Sequence, residues 1–177
     1  MEEAVQQAVQ FAIDSPEPAV ESALEDVFAP MSVEAADVPK EKHTQEGIYA
    51  TAINEALSEE MARDDRVFLL GEDQVHHNYG VTADLADNYP GRVIDTPLSE
   101  SAIVGAAVGA AMVGLRPVAE IRFFDFITCA MDPLVNQAAK MRYITGGQVT
   151  LPLTVRTAGG GGLFSAGAQH SQCLEAL

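Results

Sequence analysis

Two stretches of the chain place apolar residues at the spacing of an α-helix. The first lies near the start, in EEAVQQAVQFAI, and its apolar members are Val5, Ala8, Val9 and Ala12. The second covers residues 49–63, YATAINEALSEEMAR, and its stripe consists of Ala50, Ile53, Leu57 and Met61. Each pattern predicts an amphipathic helix. The Pro-containing segment SPEP at residues 15–18 should end the first helix.

Short apolar runs bounded by turn residues predict a buried sheet. The predicted strands cover residues 67–70, 93–94, 116–123 and 151–156. A helix between the second and third strands implies a right-handed parallel crossover. Further helical stretches are expected at residues 82–86 and at 127–143, the latter kinked at Pro133. We therefore predict an α/β fold with three layers, a mostly parallel sheet with helices on both faces.

The connection between the second and third strands is a run of small residues, SAIVGAAVGAAMV at residues 101–113. Gly105 and Gly109 fall four residues apart on one face of this predicted helix. Each interior glycine costs about 0.5 to 1 kcal/mol relative to alanine. We therefore expect another backbone to approach this face very closely. Thr96 or Ser99 is expected to cap the start of the helix.

Glu100 is the main candidate for chemistry, because it is the only ionisable residue between Asp95 and Arg116. It follows a predicted strand, so it should lie at the edge where a parallel sheet exposes its carboxyl ends. Two interpretations remain open from the residues alone. A helix-start carboxylate stabilises the helix dipole, and it can equally form part of a binding site.

The charge balance restricts the partners. The formal net charge is −16. Residues 1–46 carry 11 acidic and 2 basic side chains, so the early part of the chain is the more acidic. Nucleic-acid binding requires a basic surface, and the composition therefore argues against it.

Other composition features bear on the compartment. No apolar run is long enough and free enough of charge to span a bilayer. Cys129 and Cys173 show neither a CxxC motif nor a metal-binding spacing, which favours a reducing compartment. No Arg-rich presequence or signal peptide begins the sequence, so we expect a cytoplasmic bacterial protein rather than a mitochondrial one.

Histidines and glycines supply weaker signals. His76 and His77 are adjacent, so both cannot face one site in an extended segment, and we interpret them as surface loop residues. TAGGGGLFSAG at residues 157–167 lacks the Gly-Lys-Ser/Thr of a phosphate-binding loop and is interpreted as a mobile loop. His170 follows it and is expected to open a helix. A single histidine is more often structural than catalytic, so its residue type alone does not assign it a role.

The motifs together resemble one known family. DTPLSE at residues 95–100 is followed in order by GAAVGAAMVGLRPVAE, FFDF, LVNQAAKMRYITGGQ, LPLTVRT and GAQHSQ. This series closely resembles the β subunit of the thiamine-diphosphate-dependent 2-oxo acid dehydrogenases, which include the pyruvate, branched-chain 2-oxo acid and acetoin dehydrogenase components. The resemblance runs from about Tyr49 to Leu177. It implies the thiamine-diphosphate-binding fold, its pyrimidine module, and thiamine diphosphate as the cofactor.

The resemblance also implies roles for five residues. Glu100 is expected to hydrogen-bond the pyrimidine ring nitrogen of the cofactor. His170 is the second catalytic candidate, orienting the substrate carboxylate or assisting acyl transfer to a lipoyl arm. Phe126 is expected to pack on the aminopyrimidine ring, and Leu98 and Glu72 are further candidates for contact with the cofactor.

One residue departs from the family pattern. Arg122 stands where members usually have Met or Gln beside the cofactor ring. A cation there would disturb a neutral pocket, so the details of the pocket are expected to differ.

The resemblance further implies that the chain supplies half of a site. The sequence has no Gly-Asp-Gly segment followed by Asn, the motif that anchors magnesium and diphosphate in this superfamily, and no metal site is predicted here. An α-type domain is expected to supply Mg²⁺ binding, and the lipoyl acyltransferase core of the complex to be a further partner. The substrate would be a 2-oxo acid, converted by oxidative decarboxylation. We expect residues 106–112 to meet another subunit, and we expect no turnover by the chain alone.

The expected domain organisation has two parts. Residues 1–46 form an acidic arm and linker, and residues 47–177 form a pyrimidine-binding domain that is incomplete at its C-terminal end. Residues 1–30 resemble the C-terminus of the α subunit of the same enzymes, which would make the chain part of an α-β fusion. A disordered acidic arm is the alternative. For function, the alternatives are a transketolase-like thiamine-diphosphate enzyme and a truncated, non-catalytic assembly piece.

Overall fold

A computed structural model describes residues 2–25, 48–76, 78–159 and 166–176. The expected linker at residues 29–46, most of the glycine run and His77 lie outside these ranges. The α-helices are α1 (Glu2–Asp14), α2 (Tyr49–Arg63), α3 (Leu85–Asn88), α4 (Glu100–Met112) and α5 (Met141–Ile144). The strands are β1 (Val67–Gly71), β2 (Val93–Asp95), β3 (Arg116–Ile121) and β4 (Thr154–Thr157). Short 3-10 helices cover Val20–Leu24, Asn78–Gly80 and Phe124–Ala130, and a π-helical segment covers Pro133–Ala138.

The four strands form one parallel sheet in the order β2-β1-β3-β4. The chain moves from β1 to β2 in one direction across the sheet and from β2 to β3 in the other. Right-handed crossovers therefore place α3 and α4 on opposite faces. The α/β prediction, with helices on both faces of a parallel sheet, is confirmed.

Alternation along the strands separates two apolar cores. Val67 and Leu69 pack with Leu57 and Met61 of α2 on one face. On the other face, Leu70 packs with α4 and with β3. The predicted apolar stripe of α2 is confirmed, since Leu57 and Met61 are buried and the two other members, Ala50 and Ile53, pack against the same core.

Two helix predictions are wrong. The short helix expected at residues 82–86 instead covers Leu85–Asn88, because Asp84 adopts a left-handed conformation before it. The helix expected at residues 127–143 is divided into a 3-10 segment, a π-helical segment that starts at Pro133, and α5. Pro133 lacks the backbone N–H that a continuous α-helix would need.

The glycines of α4 also differ from expectation. A Cβ atom built on Gly105 or Gly109 meets nothing within 4 Å among the described residues. The predicted close approach of another backbone is therefore wrong for this part of the chain, and the two glycines leave open space on an outward face.

The beginning of the chain has the predicted helix, α1, and the break at residues 15–18. Its apolar side chains Val5, Val9, Phe11 and Ile13 are exposed. Within the part of the chain that the structure describes, no helix is both long and apolar enough to cross a bilayer.

Candidate functional site at the carboxyl edge of the sheet

The strand register brings three loops to one edge of the sheet. Gly71 lies beside Asp95 of β2 on one side and Glu120 of β3 on the other. The residues that follow these strands therefore emerge together at the carboxyl edge, where parallel sheets most often bind ligands. Gly71 is required at this position, because an added Cβ would lie 2.6 Å from the backbone oxygen of Glu120.

Glu72 follows β1 directly and is the most unusual side chain at this edge. Its exposed fraction is 7 %. Its buried Oε1 atom has no hydrogen-bond partner among the described residues. Burial raises the pKa of Glu72 above its ordinary value, the negative charge of Glu100 adds to the increase, and Arg122 opposes it. An unpartnered buried carboxyl oxygen is costly in a protein interior, so it marks a place where a ligand can supply a partner.

Glu100 begins α4 and is half-buried. Ser99 occupies the N-cap position, but neither it nor Thr96 caps the helix as predicted, since Ser99 makes no side-chain capping bond and the Thr96 hydroxyl has no partner. Across the described ranges no hydrogen bond or ion pair holds the Glu100 carboxylate. The two carboxyl groups lie at the same edge of the sheet, and the negative charge of Glu100 contributes to the raised pKa of Glu72.

Arg122 does not place an uncompensated cation in this pocket. Its guanidinium forms an ion pair with Asp73 and lies over the Tyr79 ring, 5.5 Å from the ring centroid. The expectation that this cation disturbs a neutral pocket is wrong in this respect, because Asp73 balances the charge. Asp73 and Tyr79 both adopt the left-handed backbone conformation that non-glycine residues seldom adopt, which is typical of a functional loop.

Aromatic rings connect this loop to His170. Tyr79 contacts Phe123 edge to face at 6.3 Å between ring centroids. Phe123 and Phe126 in turn contact the His170 imidazole at 4.8 and 5.0 Å. The structure thus brings His170 to the same edge as Glu72, through a continuous series of ring contacts.

His170 does not open a helix, so that prediction is wrong. Its backbone N–H donates to Gly167 in a turn, at 3.3 Å. The Ser171 hydroxyl accepts a bond from the backbone N–H of Ala166 at 3.1 Å. Such local side-chain bonds compete with helix formation.

The Asp125 side chain binds this turn to the 3-10 segment that follows β3. Its exposed fraction is 7 %, and its Oδ1 atom accepts bonds from the Gln172 side-chain amide at 2.7 Å and from the Gln172 backbone N–H at 3.3 Å. Burial alone would raise the pKa of Asp125, but the N–H donors of Gln172 and Ser171 outweigh it and hold the pKa below its ordinary value. The carboxylate is therefore the stable form at neutral pH.

A buried ion pair lies in the sheet just behind the edge. Glu120 is 2 % exposed, and its two oxygens accept bonds from Arg156 of β4 at 2.7 and 2.8 Å. Burial raises the pKa of Glu120 to about 7, although Arg156 opposes the increase. The hydroxyl groups of Thr96 and Thr157, after β2 and at the end of β4, are buried without partners in the described part of the chain.

Residues 47–177 match the family described as transketolase, pyrimidine binding domain. The chain belongs to this family. The parallel sheet is therefore that of a transketolase-type pyrimidine-binding domain.

Similar curated proteins are β subunits. The chain is 48 % identical to the acetoin:2,6-dichlorophenolindophenol oxidoreductase subunit beta of Cupriavidus necator, over 71 % of this chain and 40 % of that protein. It is 45 % identical to the mitochondrial pyruvate dehydrogenase E1 component subunit beta of Dictyostelium discoideum, over 75 % and 38 %. It is 49 % identical to the 2-oxoisovalerate dehydrogenase subunit beta of Bacillus subtilis, over 73 % and 40 %. The chain spans about two fifths of the length of these relatives.

Within the pyrimidine-binding domain, the predicted site residues do not all share one environment. Glu72 and Glu100 interact electrostatically, and Phe126 contacts His170. Leu98 is 81 % exposed on the loop before α4, so no contact to the other candidates fixes it.

Two acidic residues at the carboxyl edge were not predicted as site residues from the sequence. Asp125 and Glu120 are single acidic residues inside apolar runs, FFDF and VAEI. Because a charged group is seldom buried without partners, such isolated acids signal buried, hydrogen-bonded carboxyl groups. The sequence does not reveal their partners, since Gln172 lies 47 residues and Arg156 lies 36 residues away.

Proposed function

We propose that this chain is the β-type half of a thiamine-diphosphate-dependent 2-oxo acid dehydrogenase, and that its carboxyl edge holds the pyrimidine half of the cofactor. The observation that carries the proposal is the buried, unpartnered oxygen of Glu72 beside Glu100, in a domain of the pyrimidine-binding family. The names of the similar β subunits supply the reaction class.

The residues at the edge fit a heteroaromatic ring. A ring nitrogen needs a carboxyl group as hydrogen-bond partner, and Glu100 presents one that no described residue engages. The ring faces need an apolar surface, which Phe126 offers, with Leu98 on the other side of the loop as a further candidate. Glu72, with a polar atom already desolvated, gains a partner when a polar ring substituent arrives.

When bound, thiamine diphosphate supplies the electron sink that decarboxylation of a 2-oxo acid requires. The chain's own residues bind, orient and shield. Glu100 would bind the ring nitrogen through a hydrogen bond. Because the pKa of Glu72 is raised, its carboxyl group retains its proton to a higher pH than an exposed one and can donate a hydrogen bond. His170, held against two phenylalanine rings, faces the substrate as the group that orients its carboxylate or assists acyl transfer.

The remaining parts of the site belong to partners. An α-type domain binds Mg²⁺ and the cofactor diphosphate, and the two halves assemble as a heterotetramer that passes acyl groups to a lipoyl acyltransferase core, in the cytoplasm of a bacterium. Within the described residues no group of three or more His, Cys, Asp or Glu side chains is placed to hold a metal ion. Gly105 and Gly109, whose outward face is open, provide a surface where α4 meets the partner.

The decisive experiment measures thiamine diphosphate binding by calorimetry, with Mg²⁺ and an α-type partner subunit. We expect binding and 2-oxo acid turnover only when both proteins are present, and weaker binding with E100Q. Assays with pyruvate, branched-chain 2-oxo acids and acetoin identify the substrate. Turnover by the chain without a partner would refute the half-site, and absence of cofactor binding in the mixture would reduce the chain to an assembly piece.

A further inference from the structure

In the described part of the chain, the segment at residues 166–176 is hydrogen-bonded to the rest of the domain through a single residue, Asp125. The other bonds of the segment, from Ala166 to Ser171 and from His170 to Gly167, are internal. Asp125 therefore determines where the segment lies.

The neighbours of Asp125 in sequence form the surface on which His170 rests. Phe123 and Phe126 lie 6.0 Å apart, edge to face, and both contact the imidazole. The backbone at Asp125 is itself fixed, because its carbonyl oxygen accepts a bond from the Thr128 hydroxyl at 2.9 Å. Residues 123–126 thus form one rigid platform with a carboxylate between two rings.

We propose that Asp125 is a positioning residue. It binds Gln172, two residues after His170, and thereby fixes His170 at the carboxyl edge of the sheet. The contacts of Phe123 and Phe126 with His170 are weaker than bonds to a charged acceptor, so they do not fix the position of the segment by themselves. The bonds to a charged acceptor are directional and stronger than neutral ones. They select one position of the turn, and with it one position of the imidazole.

The test exchanges the acceptor and the donor of the hydrogen bond between Asp125 and Gln172. In Q172E a carboxylate faces the buried carboxylate of Asp125, and the segment should be released. In the double variant D125N/Q172E the amide of residue 125 donates to the carboxylate of residue 172, which restores the bond with the same total charge. D132N serves as the matched control, because Asp132 is exposed and accepts a bond only from Asn136, on its own helical segment.

Hydrogen exchange of the amides at residues 168–172 and the NMR signals of the His170 ring report the position of the segment. We expect exchange about tenfold faster or more in Q172E, loss of the ring-current shifts that Phe123 and Phe126 impose, and recovery of both in the double variant. D132N should match the wild type. Exchange that is unchanged in Q172E, or that is not recovered in the double variant, would overturn the proposal. If Q172E fails to fold, the double variant against wild type decides alone.

The consequence for turnover rests on the proposed function and is measured separately. In the complex with an α-type partner, Q172E should lower kcat for the 2-oxo acid while leaving the affinity for thiamine diphosphate unchanged, and D125N/Q172E should recover kcat. If exchange behaves as expected and no turnover is seen in any variant, the positioning role stands and the proposed function fails.

Discussion

The two ends of the sheet differ in how completely their polar side chains are paired. At the amino end, Asp64 accepts hydrogen bonds from Arg66 at 2.7 and 2.9 Å and forms an ion pair with Arg116 at 3.1 Å. These donors hold the pKa of Asp64 far below its usual range. A groove of about 560 Å³ opens at this end between α2 and the strand starts, and its two charged residues, Glu60 and Arg116, both have ion partners.

At the carboxyl end, polar atoms are buried without partners. The oxygens of Glu72, Thr96 and Thr157 are in this condition among the described residues. Each such atom lowers the stability of the fold by roughly 1 to 3 kcal/mol. The difference shows that the amino end serves stability, while the carboxyl end retains unsatisfied groups that a ligand can use. The groove at the amino end is therefore the poorer candidate for the site.

The largest effect is expected for E100Q, measured as turnover in the complex with an α-type partner. Removing a carboxyl group that takes part in proton transfer lowers rates by about 10² to 10⁴-fold. The free energy of unfolding should change by less than about 1 kcal/mol, because the weaker interaction with the helix dipole is opposed by the loss of repulsion between Glu100 and Glu72.

E59Q is the control for this substitution, since Glu59 is exposed on α2. It should leave both turnover and stability near the wild-type values. Normal turnover in E100Q would remove Glu100 from the proposed chemistry.

The next effect concerns Glu120 and pH. Because its folded pKa, about 7, lies above the ordinary value of 4.5, the folded state binds the proton more tightly than the unfolded chain. Stability from this group is complete below about pH 4.5 and is lost as pH rises through 7. The shift corresponds to about 3 kcal/mol.

Urea unfolding between pH 5 and pH 8 measures this loss. E120Q should remove that share of the pH dependence, whatever its effect on stability at a single pH. A pH dependence equal to that of the wild type would show that Glu120 does not titrate in this range.

Two glycines differ in the space that an added Cβ atom would have. G71A should destabilise the domain by about 1 to 3 kcal/mol, because its Cβ would overlap the backbone of β3. G105A, in the open space on α4, should stabilise the chain by about 0.5 to 1 kcal/mol. Thermal unfolding of the chain without partners measures both. Equal effects of the two substitutions would contradict the packing described here.

Prediction from the sequence worked where one periodicity determined the outcome. The apolar stripe of α2 and the short apolar strands require burial on particular faces, so the sheet follows from the pattern. It failed at residues 124–144, where the mixture of 3-10 and π-helical turns is decided by packing: Ala130, Leu134 and Ala138 contact the core formed by α4 and β3. Residue pattern cannot specify such tertiary choices.

The site, like the fold, could be predicted from the sequence only in part. Glu72 and Glu100 follow strands, and strand ends converge at one edge whatever the loops do. His170 and Phe126 came from the family resemblance, and only the structure brings them into contact. The bond from Asp125 to Gln172 depends on how a distant segment folds back, which local sequence rules do not address.

The smallest effects would sharpen the contrast between the two ends of the sheet most directly. In D64N the Arg66 and Arg116 donors lose a charged acceptor, so the melting temperature should fall. Since the folded pKa of Asp64 is depressed, this loss applies above its ordinary pKa and disappears as pH falls. In E72Q, a buried carboxyl group whose charged form is disfavoured by burial is replaced by a neutral amide. The melting temperature should therefore rise, more at pH 8 than at pH 5, because a raised folded pKa means stability that is lost with increasing pH. Calorimetry at both pH values measures the two changes in melting temperature. We expect a fall in D64N and a rise in E72Q if only the carboxyl edge binds a ligand. If the melting temperature changed in the same direction in both variants, Glu72 would be a stabilising ion like Asp64. Its unpartnered oxygen would then not indicate a ligand.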